Sequence, residues 1–286
     1  MSSAGACRIV VDADRALAER IRVLAEGRMV FLAGLPGTGK SLLAHQLVHV
    51  ASRGGRHVHL LQWDVARPAF EASPAGRRYP LADGVTHAVV RRAAGLWVRD
   101  ALVDWSERYR EPEHLLVGET PFVGNRFVEL ARPLDDRAEA LLASPACRFV
   151  IATPSRDVRR FLETQRARRA ADPLHPRERE DAPPHVLREL WQELAAIAGA
   201  STGVPMEYDP AIYAGMYERV LRHRNTEVVR LDVILPTERL SVYDFAVTPR
   251  DLAPTASEAE HFIREVERRY PDRRVLNAEI ARWWDT

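Results

Sequence analysis

The sequence predicts an α/β domain built on a mostly parallel five-stranded sheet with helices on both faces. Short apolar runs alternate with amphipathic helical stretches from about residue 28 to 235. A glycine-rich turn joins the first of these runs directly to the helix after it. No linker-like composition shift interrupts the alternation. We therefore expect one domain over 1–286, with a core at about 28–235, a lid-like region at about 155–184 and a C-terminal extension over 236–286.

The first helix is expected from Asp14 to Glu26, where Leu17, Ile21 and Leu24 recur at helical spacing. Met29 to Ala33 is the first strand and ends in Gly34. A helix from about Lys40 to Ser52 follows and is stopped by Gly54 and Gly55. Arg56 to Gln62 reads as the second strand, leading to Trp63 and Asp64. After a loop rich in proline, glycine and arginine, a long helix fits Thr86 to Arg108. It sets Val89, Ala93, Leu96, Trp97, Leu102 and Trp105 along one stripe. His114 to Gly118 is the third strand and ends at Glu119. A short helix, Asp136 to Leu142, leads to the fourth strand, Arg148 to Ala152. Ser155 is placed to cap a helix to about Ala170, and a stretch rich in proline and arginine follows near 172–184. Helices at about 184–198 and 209–223 precede the fifth strand, Glu227 to Leu235. In the tail, Ser257 and Glu260 have capping-box spacing before a helix to Tyr270.

Composition excludes several classes. The 286 residues carry 41 Lys+Arg against 40 Asp+Glu, a formal net charge of +1. Such a balance gives no electrostatic case for a nucleic-acid partner. All but one of the basic residues are arginine, and the one lysine is Lys40. Schiff-base or lysine-base chemistry is thus excluded everywhere else. Uniform use of arginine also lowers the information in any single arginine. Two cysteines, Cys7 and Cys147, are too few for a disulfide framework or a structural zinc site. No apolar stretch reaches the roughly 18–20 residues of a membrane-spanning helix. Met1 to Val11 lacks the basic start and apolar run of a secretory signal. A cytoplasmic protein without a membrane partner is expected.

The segment Gly34-Leu35-Pro36-Gly37-Thr38-Gly39-Lys40-Ser41 fits G-x-x-x-x-G-K-[ST], between an apolar strand and an amphipathic helix. Glycines let the backbone turn tightly and aim successive N–H groups at phosphate oxygens. The helix start adds its positive dipole end. Lys40 reaches β- and γ-phosphates as a compact charge, and the Ser41 hydroxyl ligates Mg²⁺. From this chain's own composition, a chance match has a probability of roughly 2 in 10,000. Gly34 to Ser41, together with Leu42, are the expected nucleotide-binding residues.

The loop and its flanks resemble the P-loop NTPase superfamily, and the strand plan to about residue 235 is most similar to its small-molecule kinase branch. That resemblance implies a three-layer α/β/α fold with a helical lid, and ATP and Mg²⁺ as cofactors. Missing motifs lower the other branches. The guanine-reading Asn-Lys-x-Asp of Ras-type GTPases requires a second lysine. The Ser-Gly-Gly signature of ABC-type ATPases is missing, and the third strand ends on the lone Glu119, not the paired acidic residues usual in AAA+ proteins.

The kinase resemblance gives further residues expected roles. Asp64, just after the second strand, matches a carboxylate that faces the acceptor hydroxyl and accepts its proton. Its alternative is to cap the next turn. Arg67, completing Asp-x-x-Arg, is similar to an arginine that holds a polar or anionic substrate group. Glu119 is the Walker-B-like carboxylate, expected near Ser41 in the magnesium shell if its strand lies beside the first. It is equally a candidate proton acceptor, with Asp64 then contacting substrate. Arg126 is placed for substrate or phosphate, and a salt bridge to Glu129 or Asp136 is the structural alternative. Lid arginines of such kinases stabilise the transferring phosphoryl group. Among Arg156, Arg159, Arg160, Arg166, Arg168 and Arg169 we select Arg156 and Arg160 as catalytic beside Lys40. A solvated helix face explains most of that run.

The acceptor pocket is expected from Phe70, Arg77, Arg78, Tyr79, Asp83, His87, Arg91 and Arg92. His87 has a structural alternative at its helix start, Trp97 and Trp105 are read as core, and Trp63 as pocket lining. The sequence thus predicts a phosphotransferase moving the γ-phosphate of ATP to a hydroxyl of a small polar metabolite. The alternative is a regulatory ATPase or nucleotide-dependent switch acting on a protein. Expected partners are ATP and the acceptor, with a homodimer left open.

Overall fold

Local signals set most element boundaries in the computed structural model, which describes residues 9–82, 84–199, 205–245 and 247–286. Cys7 and Asp83 lie outside the described residues. Helix α1 (Arg15–Ala25) starts where Asp14 accepts hydrogen bonds from the amides of Ala16 and Leu17, satisfying two orphan donors. Strand β1 (Met29–Ala33) is buried at every position, and α2 (Lys40–Arg53) runs from Gly39 to Gly54. Strand β2 (His57–Gln62) passes without a loop into α3 (Trp63–Ala72). This helix replaces the loop expected after Asp64. Pro68 inside it removes one backbone donor and masked the helical pattern, but Trp63, Ala66 and Phe70 still bury one face.

Helix α4 (Ala88–Arg108) is capped by His87, whose Nδ1 accepts from the Val89 amide at 3.2 Å, so this histidine is structural. Then come β3 (His114–Thr120), the single turn α5 (Glu139–Leu142) and β4 (Cys147–Pro154). Ser155 caps α6 (Arg156–Ala171), accepting from the Val158 amide. Helices α7 (Pro184–Ile197) and α8 (Pro210–Val220) start on prolines, where a missing N–H costs nothing. Strand β5 (Thr226–Leu231) stops four residues short of the expected Leu235. The two-residue β6 (Arg250–Asp251), α9 (Ala256–Arg269) and α10 (Arg273–Ala281) complete the chain. The capping box of α9 is Thr255 with Glu258, not Ser257 with Glu260. Thr255 Oγ1 accepts from the Glu258 amide and the Glu258 carboxylate accepts from the Thr255 amide, so the helix begins two residues earlier than expected.

All strand pairs are parallel, in the order β5-β4-β1-β3-β2-β6. The sheet has six strands, one more than expected, because β6 is too short to show a periodicity. Alternate side chains serve two cores. Phe31 and Phe149 face α4, α8 and α9, while Val30, Leu32 and Val117 face α1 and α2. That is a three-layer α/β/α arrangement, and burial on both faces is why the strands read as continuous apolar runs.

The segment 236–286 is no appendage. Leu252 donates to Leu60 O at 2.7 Å, and Phe262, Ile263, Val266, Leu276, Ile280 and Trp283 are buried in the first core. Burying one such large side chain contributes roughly 1.5–3 kcal/mol. Parallel register aligns the C-terminal ends of three central strands. Glu119 sits level with Leu32 and Gln62, and Thr120 with Ala33. In open parallel sheets this is the edge where ligands bind.

Candidate functional site

The turn from β1 to α2 opens this edge. Gly34 is tightly packed, since a Cβ there would lie 2.1 Å from the Tyr213 hydroxyl. Gly39, the residue before α2, holds φ at 89°, a left-handed conformation that a side chain would strain. The loop closes on itself. Thr38 Oγ1 donates to Leu35 O at 2.9 Å, and Lys40 Nζ donates to the same oxygen at 2.7 Å. Lys40 is only 6% exposed. Burial pushes its ammonium down to about 8, opposed by Glu119 and Asp64 and reinforced by Arg166 and Arg159. All four charges act on the one lysine at a distance.

Ser41 Oγ donates to Glu119 Oε1 at 2.8 Å, and Gln62 Nε2 donates to Glu119 Oε2 at 2.7 Å. The β1–β3 adjacency expected for Glu119 is present, and it brings hydroxyl and carboxylate together. Their donor set is all oxygen, suited to a hard cation that keeps most of its water. Among the described residues, no cluster of three or more His, Cys, Asp or Glu forms a metal cage. Asp64 is exposed in the first turn of α3, where a helix dipole favours a carboxylate. It stands within electrostatic reach of both Lys40 and Arg126. Arg67 is tied to Glu71 on its own helix at 3.0 Å, with Thr86 also donating to Glu71.

Arg126 makes neither of the salt bridges weighed for it. Glu129 is taken by Arg92 at 2.7 Å and Asp136 by Arg99 at 2.6 Å. Burial instead holds the half-buried Arg126 guanidinium below the ordinary arginine value, with Asp64 opposing and Arg67 reinforcing the shift. Among the described residues of the expected pocket, only Arg91 reaches this region, donating to Gly124 O at 2.7 Å. Phe70 is core, Arg78 and Tyr79 bind Glu267, Arg77 donates to Ala72 O, and Arg92 bridges Glu129 and Glu279. Trp63 is core as well, 4% exposed and edge-on to Phe127, not pocket lining. Trp97 and Trp105 are buried in the same core, as expected.

Helix α6 turns inward a different face from the one carrying Arg156 and Arg160. Arg156 binds Tyr208 O and Asp209, and the exposed Arg160 binds Asp157. Val158 and Leu162 bury toward the sheet and set the helix phase, which turns Arg159 inward. Arg159 is 2% exposed and donates to Pro36 O at 2.9 Å, to Leu187 O at 3.1 Å and to Glu163 at 3.0 Å. Arg166, two turns on, pairs with Asp181, which also accepts from the Tyr243 hydroxyl at 2.6 Å. Burial and the Asp181 carboxylate hold that phenol above its ordinary value, and Glu119 adds to the effect. Gln62, Tyr213 and Tyr243 were not legible in the sequence. Each acts through a tertiary partner, and no local spacing announces it.

Beside Gly39 an apolar hollow opens between Leu42, Phe161, Leu162, Val233, Ile234 and Thr237. Leu42 thus contributes a side chain there, whereas Leu35 is fully buried and offers the site only its carbonyl. Among the described residues no helix is long and apolar enough to cross a membrane. No family model, no curated protein and no solved structure matches the chain.

Proposed function

We propose that the protein is a P-loop kinase, an ATP- and Mg²⁺-dependent phosphotransferase acting on a hydroxyl of a small polar metabolite. The observation that carries this reading is the meeting of Lys40, the Ser41–Glu119 pair and Asp64 at the C-terminal edge of three parallel strands. A buried ammonium whose partner is one backbone carbonyl is held for a stronger acceptor, and a triphosphate supplies one. The helix start at Gly39 adds backbone donors and dipole. The hollow beside Gly39 offers apolar walls for a nucleobase.

Ser41 and Glu119 would hold magnesium, which when bound neutralises charge on the phosphates. Both oxygens of Glu119 are hydrogen-bonded, to Ser41 and Gln62, which favours Asp64 as proton acceptor. In the transfer, the acceptor oxygen bonds to the γ-phosphorus and its bond to the bridging oxygen breaks. ADP leaves with that electron pair, and the acceptor proton passes to Asp64. Arg159 and Arg166, on the inner face of α6, are the lid arginines we assign to phosphoryl charge.

The test incubates the protein with Mg²⁺, ATP and a fractionated metabolite pool, following products by mass spectrometry. A phosphorylated metabolite with stoichiometric ADP supports the reading. Tight ATP binding with no such product in any fraction would replace it with a regulatory ATPase.

A further inference from the structure

The loop after β3 carries a run of residues in the left-handed backbone region. Phe122, Gly124, Asn125 and Phe127 all have positive φ, at 58°, 65°, 62° and 62°. Each non-glycine residue in that region costs roughly 1–2 kcal/mol. Such strain persists only where surroundings overdetermine it, and it concentrates at functional sites. Here the surroundings do. Phe122 and Arg126 form a reciprocal backbone bridge, at 3.1 and 3.2 Å. Asn125 donates to Glu129 at 3.1 Å, Arg91 to Gly124 O at 2.7 Å, and Tyr217 to Pro121 O at 2.8 Å.

The result of this effort is the placement of one side chain. Arg126 has no hydrogen-bond partner for its guanidinium among the described residues, although it is half-buried. It stands within electrostatic reach of Asp64, Arg67, Tyr217 and Glu193, and of Arg91. The cations and carboxylates are not equivalent. Asp64 and Glu193 are exposed, whereas Arg67, Arg91 and Arg126 lie deeper. Arg67 is already neutralised by Glu71. The floor of the cleft is therefore cationic and its rim acidic. Gathering half-buried guanidiniums costs free energy that the solvated rim carboxylates offset weakly.

We infer that the acceptor carries an anionic group, a carboxylate or a phosphate, which docks on Arg126 with Arg91 beside it while its hydroxyl faces Asp64. This rests on the phosphotransferase reading and narrows its substrate class. The bonds made and broken remain those of transfer from ATP to the hydroxyl. The anionic group of the acceptor takes no part beyond binding.

The test uses the full chain with Mg²⁺, γ-labelled ATP and a metabolite extract split by ion exchange into anionic, neutral and cationic fractions. Labelled product is expected from the anionic fraction alone, and its fragmentation tells a carboxylate acceptor from a phosphate one. Arg126→Gln is expected to raise the KM for that acceptor about a hundredfold, through loss of charge-assisted hydrogen bonds. ATP affinity stays unchanged in that variant, which reports an intact fold, and Arg126→Lys recovers part of the loss. Product from the neutral or cationic fraction, or an unchanged KM in Arg126→Gln, would overturn the anionic acceptor and leave the phosphotransferase standing. No labelled product from any fraction, with ATP still bound, would overturn both.

Discussion

Lys40 is buried, yet its proposed task needs a charge. Its folded value of about 8 lies below the ordinary 10.5, so between those limits the unfolded chain binds more protons than the folded one. Stability of the nucleotide-free protein therefore rises as pH climbs through that window. A bound polyphosphate favours the ammonium, so above about pH 8 nucleotide binding draws in a proton. Affinity for ATP is expected to be flat below that pH and to fall by up to about tenfold per pH unit above it. Calorimetry in buffers of different ionisation heat checks this, with proton uptake near one at about pH 9 and near zero at about pH 7. Lys40→Met should remove the difference. Affinity that ignores pH across this range would contradict the place given to Lys40. At this scale the sequence announced Lys40, Ser41 and Glu119, because a short motif and a strand end are local. It did not show that Arg159 turns inward while Arg156 pairs with Asp209, because helix phase depends on which side chains α6 buries.

Among the elements, α4 carries a glycine whose reason lies elsewhere in the chain. A Cβ on Gly95 would stand 1.7 Å from Glu129 Oε2, the buried carboxylate that Arg92 and Asn125 hold. Gly-to-Ala in a helix interior ordinarily stabilises by up to about 1 kcal/mol. Here Gly95→Ala should instead destabilise by about 2 kcal/mol, as overpacking does, and loosen the loop that presents Arg126. Chemical denaturation measures the first effect, and a raised acceptor KM the second. A stabilised Gly95→Ala would mean that Glu129 is not fixed as described. A second tether nearby responds to acid. Burial acts to raise the Glu139 carboxyl, but hydrogen bonds from Arg224 and Arg99 win and hold it at about 2. Its contribution is complete above the ordinary 4.5 and is lost as pH falls through about 2. Glu139→Gln should flatten that part of the stability profile. Strong periodicity made α1, α2, α4 and every long strand legible. Pro68 obscured α3, and β6 was too short to show a pattern.

For the whole molecule, the parallel α/β plan followed from the alternation of elements, while the role of the tail did not. Residues beyond 249 supply the edge strand β6 and cover α4 with α9 and α10. Amphipathic tail helices carry no label saying which face of the sheet they cover, so the sequence suggested an extension. A chain ending at residue 249 is expected to lose its cooperative thermal transition, followed by circular dichroism. Melting like that of the full chain would return the tail to the status of an appendage. The account as a whole depends on phosphoryl transfer at Lys40. Arginine keeps the charge there but not the compact ammonium that reaches between phosphates. The decisive measurement is therefore the rate of γ-phosphate transfer from ATP by wild type and Lys40→Arg, with the fold verified by thermal denaturation. We predict a folded variant whose turnover is at least about a hundredfold lower, the scale of lost transition-state charge stabilisation. Near-wild-type turnover in Lys40→Arg would contradict the central claim.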